Sequence, residues 1–414
     1  MRAAVASPGR VVVAGMVSLA VAMGIGRFAF TPLLPMMLAD GVVDLATASW
    51  LASANYLGYL LGALACTFQP WLWRRLGIHA PIDAPALVLG GLAATSVLTL
   101  GMALPWPQGW PALRFAAGVA SAFVFIFTSS WCLTQLARLA LPAMGALIFA
   151  GPGGGIVLCG LAATVMVAWQ GSAALGWLVF GVLAAALTAA IWPVFARGNP
   201  SAASVTPPAA AAPPHADGAH GATEIALLAF AYGLAGFGYI ITATFLPVIA
   251  RQSLPGSPWL DMFWPILGAG VVVGVLVASR IRGPGDQRLR LAVCYLLQAL
   301  GIAAGLWSPT LAGFAIGSLL LGLPFTAITF FALQEVRRLR PAAPSGLIGL
   351  ITAMYGTGQI VGPPMAAALL ARSRNPAEGF ALSLQIAAGG LAVGALIYAL
   401  MSRLYPSSER RPGG

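Results

Sequence analysis

Lysine is absent from this 414-residue chain, whose 21 basic side chains are all arginine. A P-loop needs a lysine on the nucleotide phosphates and a Schiff base needs a lysine amine, so both chemistries are excluded. Uphill work by this chain would therefore draw on an ion gradient or a partner ATPase. Charge of either sign is scarce: 7% of the residues are charged, and ten of them are acids. A soluble domain carries roughly a quarter charged residues, so these are too few to cover a water-exposed surface. Reactive side chains are scarce too. Cys66, Cys132, Cys159 and Cys294 fall inside apolar runs with no Cys-x-x-Cys pair, which suits small core residues. His79, His215 and His220 lie in expected loops without metal-ligand spacing, so neither a metal nor a cofactor is expected.

What the chain has is apolar length: 59% of it is hydrophobic, in runs long enough to cross a bilayer as helices of ~20 residues. Crossings are expected at 11–36, 47–69, 84–104, 109–136, 143–168 and 170–195. A second set follows at 224–249, 259–280, 288–307, 309–333, 345–370 and 377–404. The fold class is thus all-α integral membrane, with a six-helix bundle over 1–196 and another over 224–414. Residues 197–223 between them, rich in Ala and Pro, read as a flexible exposed linker. The first apolar run is too long for the core of a cleaved signal peptide and is expected to act as an uncleaved insertion signal.

Arginine placement orients the chain. With the N-terminus on side one, that side collects Arg2, Arg10, Arg74, Arg75, Arg138, Arg197, Arg280, Arg282, Arg288, Arg290, Arg337, Arg338, Arg340, Arg403, Arg410 and Arg411. The other side collects Arg251, Arg372 and Arg374. Sixteen against three makes side one cytoplasmic, with both termini and the linker on it. It also explains the net charge of +11 as a topology signal, so no nucleic-acid partner is expected.

The two halves repeat. Gly24, Gly26, Leu34 and Pro35 recur as Gly236, Gly238, Leu246 and Pro247, and Gly58 and Gly62 as Gly270 and Gly274, all at an offset of 212. Gly118, Gln135, Arg138 and Pro142 match Gly317, Gln334, Arg337 and Pro341 at an offset of 199. The stretch Gly24-Ile25-Gly26-Arg27-Phe28-Ala29-Phe30-Thr31-Pro32-Leu33-Leu34-Pro35 resembles the span-one signature of the YbfB/YjiJ-like branch of the major facilitator superfamily. Ser53-Ala54-Asn55-Tyr56-Leu57-Gly58-Tyr59-Leu60-Leu61-Gly62 and Tyr355-Gly356-Thr357-Gly358-Gln359-Ile360-Val361-Gly362-Pro363 are similar to its spans two and eleven. The resemblance implies two parallel six-helix repeats and alternating access around a cavity lined by spans one, four, seven and ten. Two departures stand out. The loop Trp71-Leu72-Trp73-Arg74-Arg75-Leu76-Gly77 lacks the superfamily's Asp, and Gly151-Pro152-Gly153-Gly154-Gly155 only partly matches its antiporter motif.

Arg27 is the sharpest candidate site, nine residues before the expected end of span one. A charge near mid-membrane costs about 2.5–3.5 kcal/mol on the insertion scale, so it should face a wet cavity or a partner. It would anchor a substrate carboxylate by a forked pair, or be satisfied by carbonyls near Pro32 or by a neighbouring helix. Arg114 opens Arg114-Phe115-Ala116-Ala117-Gly118, which resembles the superfamily's span-four motif; it either faces the cavity or snorkels to the near surface. Softer candidates are Asn55, Tyr56 and Tyr59, Tyr232 and Tyr239, and Tyr355 with Gln359, each also explicable as helix-to-helix hydrogen bonding. Tyr239 occupies the repeat position of Arg27. Gly24, Gly26, Pro35, Gly151, Pro152, Gly362 and Pro363 are candidate hinge or close-packing positions.

No acid is expected beside the arginines. Asp40, Asp44, Asp261 and Glu378 fall at external loops, and Asp83, Asp217, Asp286, Glu335 and Glu409 on the cytoplasmic side. Glu224 follows Thr223 at the start of span seven, where helix capping explains it. That leaves facilitated diffusion, symport in which the anion balances the charge, or a proton relay through Asp44 or Asp261.

The sequence therefore reads as a monomeric secondary transporter of a small organic anion or amphipathic metabolite, in a bacterial-type inner membrane, with a coupling ion such as H+ open. The rivals are a proton-coupled multidrug exporter and a non-transporting sensor or scaffold. The exporter would respond to lipophilic cations; the scaffold lacks any soluble domain to relay a signal.

Overall fold

A computed structural model describes residues 7–77, 83–197, 221–257, 259–281, 285–340 and 344–406. Twelve long helical segments cross the molecule, and no strand occurs among the described residues. We number them α1 Pro8–Ala39, α2 Leu45–Arg75, α3 Ala84–Gly101, α4 Trp110–Arg138, α5 Met144–Ala168 and α6 Ala173–Ala196. The second set is α7 Ala222–Ser253, α8 Leu260–Arg280, α9 Gln287–Trp307, α10 Leu311–Leu339, α11 Pro344–Arg372 and α12 Pro376–Leu404. Eleven are apolar and long enough to span a bilayer; α11, with 29 residues and Pro363-Pro364 inside it, completes the set.

Local chemistry accounts for the boundaries. Ser172, Thr310 and Asn375 accept hydrogen bonds from Leu175, Gly313 and Glu378, starting α6, α10 and α12. Asp83 and Asp286 do the same for α3 and α9. The turn between α5 and α6 runs through Gln170, whose φ of +54° closes it tightly. His79, His215, His220, Asp217, Glu409 and most of the expected linker lie outside the described residues.

α1 is irregular where its repeat partner α7 is not. A π-helical stretch, Ala20–Ile25, leads into turns, and α-helix resumes only at Phe30. Pro32 helps explain the difference, since its ring removes a backbone donor from that turn, and the repeat position holds Thr244 instead. In α1 the Thr31 N–H turns to the Phe28 carbonyl, so it does not serve the Arg27 carbonyl as a regular helix would require.

Small residues let the helices approach. A Cβ on Gly24 would lie 2.4 Å from the Gly155 Cα in α5, and one on its repeat mate Gly236 would lie 2.1 Å from the Tyr355 carbonyl oxygen in α11. The repeated glycines thus serve the same job, seating α1 on α5 and α7 on α11. The halves meet along α2 with α11, where Leu60 lies on Gly356, and along α5 with α8, where Gly153 faces the Gly268 carbonyl. They also meet where Thr31 donates to the carbonyl of Ala243 at 2.7 Å. Those two residues are repeat mates at the 212 offset, so this bond lies on the pseudo-two-fold axis, where equivalent residues must touch.

Two charges depart from the sequence reading. Glu224 is not a helix cap: α7 starts at Ala222 after Gly221, and Glu224 is fully buried. Arg288, expected among the loop charges, is 1% exposed. Its guanidinium binds Glu224, Glu335 at 2.6 Å, and the carbonyls of Met401 at 2.8 Å and Tyr405 at 2.7 Å. Arg338 completes the cluster with 2.7 and 2.9 Å bonds to Glu335. The cluster ties the terminus-bearing ends of α7, α9, α10 and α12. Its members are far apart in sequence, so no local spacing announces it.

Candidate functional site

Arg27 sits between the halves, near the middle of α1, and is 4% exposed. Its Nη2 donates 2.7 Å to the Gln359 Oε1 of α11, and its Nε has no partner. Among the described residues no carboxylate pairs with it. Aromatic faces surround the guanidinium instead: Tyr59 at 4.4 Å, Tyr56 at 5.2 Å and Phe28 at 5.3 Å from its carbon to the ring centroids. Gln359 uses its other end as well, donating to the Tyr239 hydroxyl.

Beyond Gln359 the second half supplies an aromatic wall. Tyr239 stacks on Tyr355 with centroids 5.9 Å apart, Tyr355 lies 4.9 Å from Tyr232, and Phe325 stands edge-on to Tyr239 at 5.0 Å. Phe28 reaches the same wall, 6.1 Å from Phe325. Tyr59 and Tyr355 remain partly exposed, whereas Tyr56, Tyr232 and Tyr239 are buried.

Arg114 lies behind this site. It is 2% exposed, so it does not snorkel to the surface. Its two terminal nitrogens donate to the carbonyls of Gly26 at 3.2 Å and Arg27 at 3.1 Å, in the irregular stretch of α1. Phe30 and Trp177 flank it, with ring centroids 5.0 and 6.0 Å away. Asn55 in turn donates 2.9 Å to the Arg114 carbonyl of α4. The structure therefore gathers Arg27, Tyr56, Tyr59, Tyr239, Tyr355 and Gln359 into one site, with Arg114 and Asn55 in the layer that holds it.

The hinge candidates are close contacts of the backbone. A Cβ on Gly26 would meet the Ala22 carbonyl at 2.7 Å, one on Gly151 the Met16 carbonyl at 2.2 Å, and one on Gly362 the Ile240 side chain at 2.5 Å. Pro35 and Pro363 lie inside helices, and Pro152 is buried beside Gly151.

Several site residues carry no signal of their role in the sequence alone. Phe28 and Phe325 look like any apolar residue in a span. Thr31, Ser53 and Thr244 matter because they cross between the halves. Ser53 donates to the Ile360 carbonyl at 3.0 Å, and the Tyr56 hydroxyl is 3.0 Å from that of Thr244. Phe28, Thr31 and Ser53 fall inside the family-like motifs, and Thr31 has a further clue in the 212 offset to Ala243, but none of these names a role.

The family model described as "Uncharacterised MFS-type transporter YbfB" matches residues 19–399. The chain belongs to that family. It is therefore a secondary transporter of small solutes with the twelve-helix fold of the major facilitator superfamily. Solved structures agree on that fold. The nucleoside transporter NupG matches over 97% of this chain and 99% of its own, with a TM-score of 0.63 and 14% identity. A mutant form of NupG covers 95% and 99% with a TM-score of 0.69 and 13% identity. The human organic anion transporter MFSD10 (TETRAN) covers 95% and 100%, with a TM-score of 0.59 and 15% identity. No curated protein matches the chain in sequence.

In this transporter every acid among the described residues is engaged away from Arg27. Asp40 accepts from the Ala173 N–H at 2.7 Å, Asp261 pairs with Arg251 at 2.6 Å, and Glu378 accepts from the Arg374 backbone N–H at 3.2 Å. Asp44 caps α2 through Thr47, whose hydrogen bonds hold its carboxyl below the usual range. Asp83 and Asp286 cap helices, and Glu224 and Glu335 belong to the Arg288 cluster.

Proposed function

We propose that the cargo is a small organic anion, bound by Arg27 between the halves and carried by alternating access. The observation that supports this most directly is a buried guanidinium with one hydrogen bond, to a neutral amide, and an unpartnered Nε. A cation held this way near mid-membrane is costly unless a counter-charge visits it. The aromatic surfaces of Tyr59 and Tyr355 suit a cargo with a flat apolar body behind the charged group. Arg114 acts through α1, fixing the irregular backbone from which Arg27 projects, and Asn55 acts through α4, on the Arg114 carbonyl.

The engaged acids favour transport in which the anion itself balances charge, as a uniport or as co-transport with H+, over a relay through Asp44 or Asp261. Asp44 stays ionised at neutral pH, which counts against a proton-carrying role. The arginine distribution supports a bacterial-type inner membrane location with both termini cytoplasmic.

Proteoliposomes test the reading. Uptake of radiolabelled benzoate, with benzamide as its neutral counterpart, is expected for the wild type and lost in Arg27→Ala. Retained benzoate uptake in that variant would exclude the anchor role. Uptake of lipophilic cations by both proteins would put the exporter reading in its place.

A further inference from the structure

Gln359 holds Arg27 in a particular way. The Nε–H and one Nη2–H of an arginine form a parallel edge that matches the two oxygens of a carboxylate. Here Nη2 meets the single amide oxygen of Gln359, and Nε beside it meets nothing. An amide cannot complete the fork, because its second group is a donor, and that donor is turned to the Tyr239 hydroxyl.

The bond also joins the halves, from α1 to α11. Its neighbours do the same. Thr31 to Ala243, Tyr56 to Thr244 and Ser53 to Ile360 all cross between the halves. Among the described residues, the side-chain hydrogen bonds that cross lie level with Arg27 or nearer the face opposite the termini. Ser53 reaches the residue next to Gln359 in α11, so a shift there loosens both contacts.

We propose that Gln359 is a latch that stands in for the cargo: its amide oxygen occupies Arg27 in the empty site, and a carboxylate displaces it by forking onto Nε and Nη2. Displacement breaks the bond between α1 and α11, so anion binding itself releases the closure on that side. A neutral cargo of the same shape meets an equal competitor in the amide and leaves the latch shut. Gln359 thereby sets specificity for anions without touching them. The proposal rests on the anion-carrier reading for its ligand, but the pairing of Arg27 with residue 359 stands apart from it.

The test uses the full chain in detergent, with benzoate and benzamide as probes. Gln359→Leu removes the competitor, and benzoate affinity should tighten by about 3- to 10-fold, the equivalent of one hydrogen bond. Gln359→Glu supplies a built-in carboxylate at the same length; it should melt at a higher temperature than the wild type without ligand and no longer bind benzoate. That gain should vanish when Arg27→Ala is added, as a double-mutant cycle requires.

Weaker benzoate binding in Gln359→Leu would make Gln359 an ordinary ligand of the cargo and overturn the latch. So would a Gln359→Glu protein that melts no higher than the wild type, whatever the probes do. If benzoate binds none of the proteins but Gln359→Glu shows its Arg27-dependent gain, the pairing of Arg27 with residue 359 stands, and its displacement by an anionic cargo fails.

Discussion

Arg27 and Arg114 show how one residue type takes two roles a few ångströms apart. Each leaves its Nε without a hydrogen-bond partner, but Arg114 has both terminal nitrogens on backbone carbonyls, while Arg27 has a single hydrogen bond, to a side-chain amide. Replacing Arg114 by Met should leave those carbonyls unsatisfied and destabilise the protein by about 1–3 kcal/mol, read as a lower melting temperature. Replacing Arg27 by Met should instead abolish anion binding with a smaller fall in melting temperature, because it gives up one hydrogen bond, to Gln359, along with a charge that no carboxylate pairs. Equal losses of stability in both variants would refute this division. The sequence could place both arginines in spans one and four, but not say which would meet a carbonyl. That depended on the irregular turn after Ile25, whose geometry Pro32 hints at without specifying.

Among the elements, the glycines decide which helices touch. Gly24→Ala drives a methyl to 2.4 Å from the Gly155 Cα, where neither backbone can yield cheaply. We expect a loss of about 1–3 kcal/mol, the usual range for overpacking. Gly154→Ala, one residue along from that contact, meets nothing within 4 Å and sits on the exposed face of α5. It should be neutral or stabilising by about 0.5–1 kcal/mol through helix propensity. Thermal unfolding of the two variants separates close packing from helix preference. A Gly24→Ala protein as stable as the wild type would contradict the packing account. The paired glycines were legible as a repeat at a constant offset. Their partners were not, because Gly24 meets α5 and Gly236 meets α11, and no local pattern names a partner helix.

Across the whole molecule, order comes from the repeat and from the few charges the chain retains. Helix number and approximate ends were readable because each crossing is a long apolar run, and the arginine count fails if one run is missed. The Arg288 cluster was hidden for the opposite reason: Glu224, Arg288 and Glu335 sit at helix ends, where sequence alone suggests caps and loop charges. Arg288→Met takes from two buried glutamates the guanidinium they share, so we expect about 3–5 kcal/mol of destabilisation, with α7, α9, α10 and α12 losing amide protection together. Exchange confined to α9 would show that the cluster does not bind the half into one unit.

The central claim is that the cation between the halves is an anion site. A thermal-stability screen of the detergent-purified protein against small carboxylates and lipophilic cations, with Arg27→Ala in parallel, tests it most directly. A ligand bound to the native state raises the melting temperature with its occupancy. Stabilisation by a carboxylate that disappears in Arg27→Ala is the predicted result. Stabilisation by cations alone, or a carboxylate effect that survives the substitution, would contradict it.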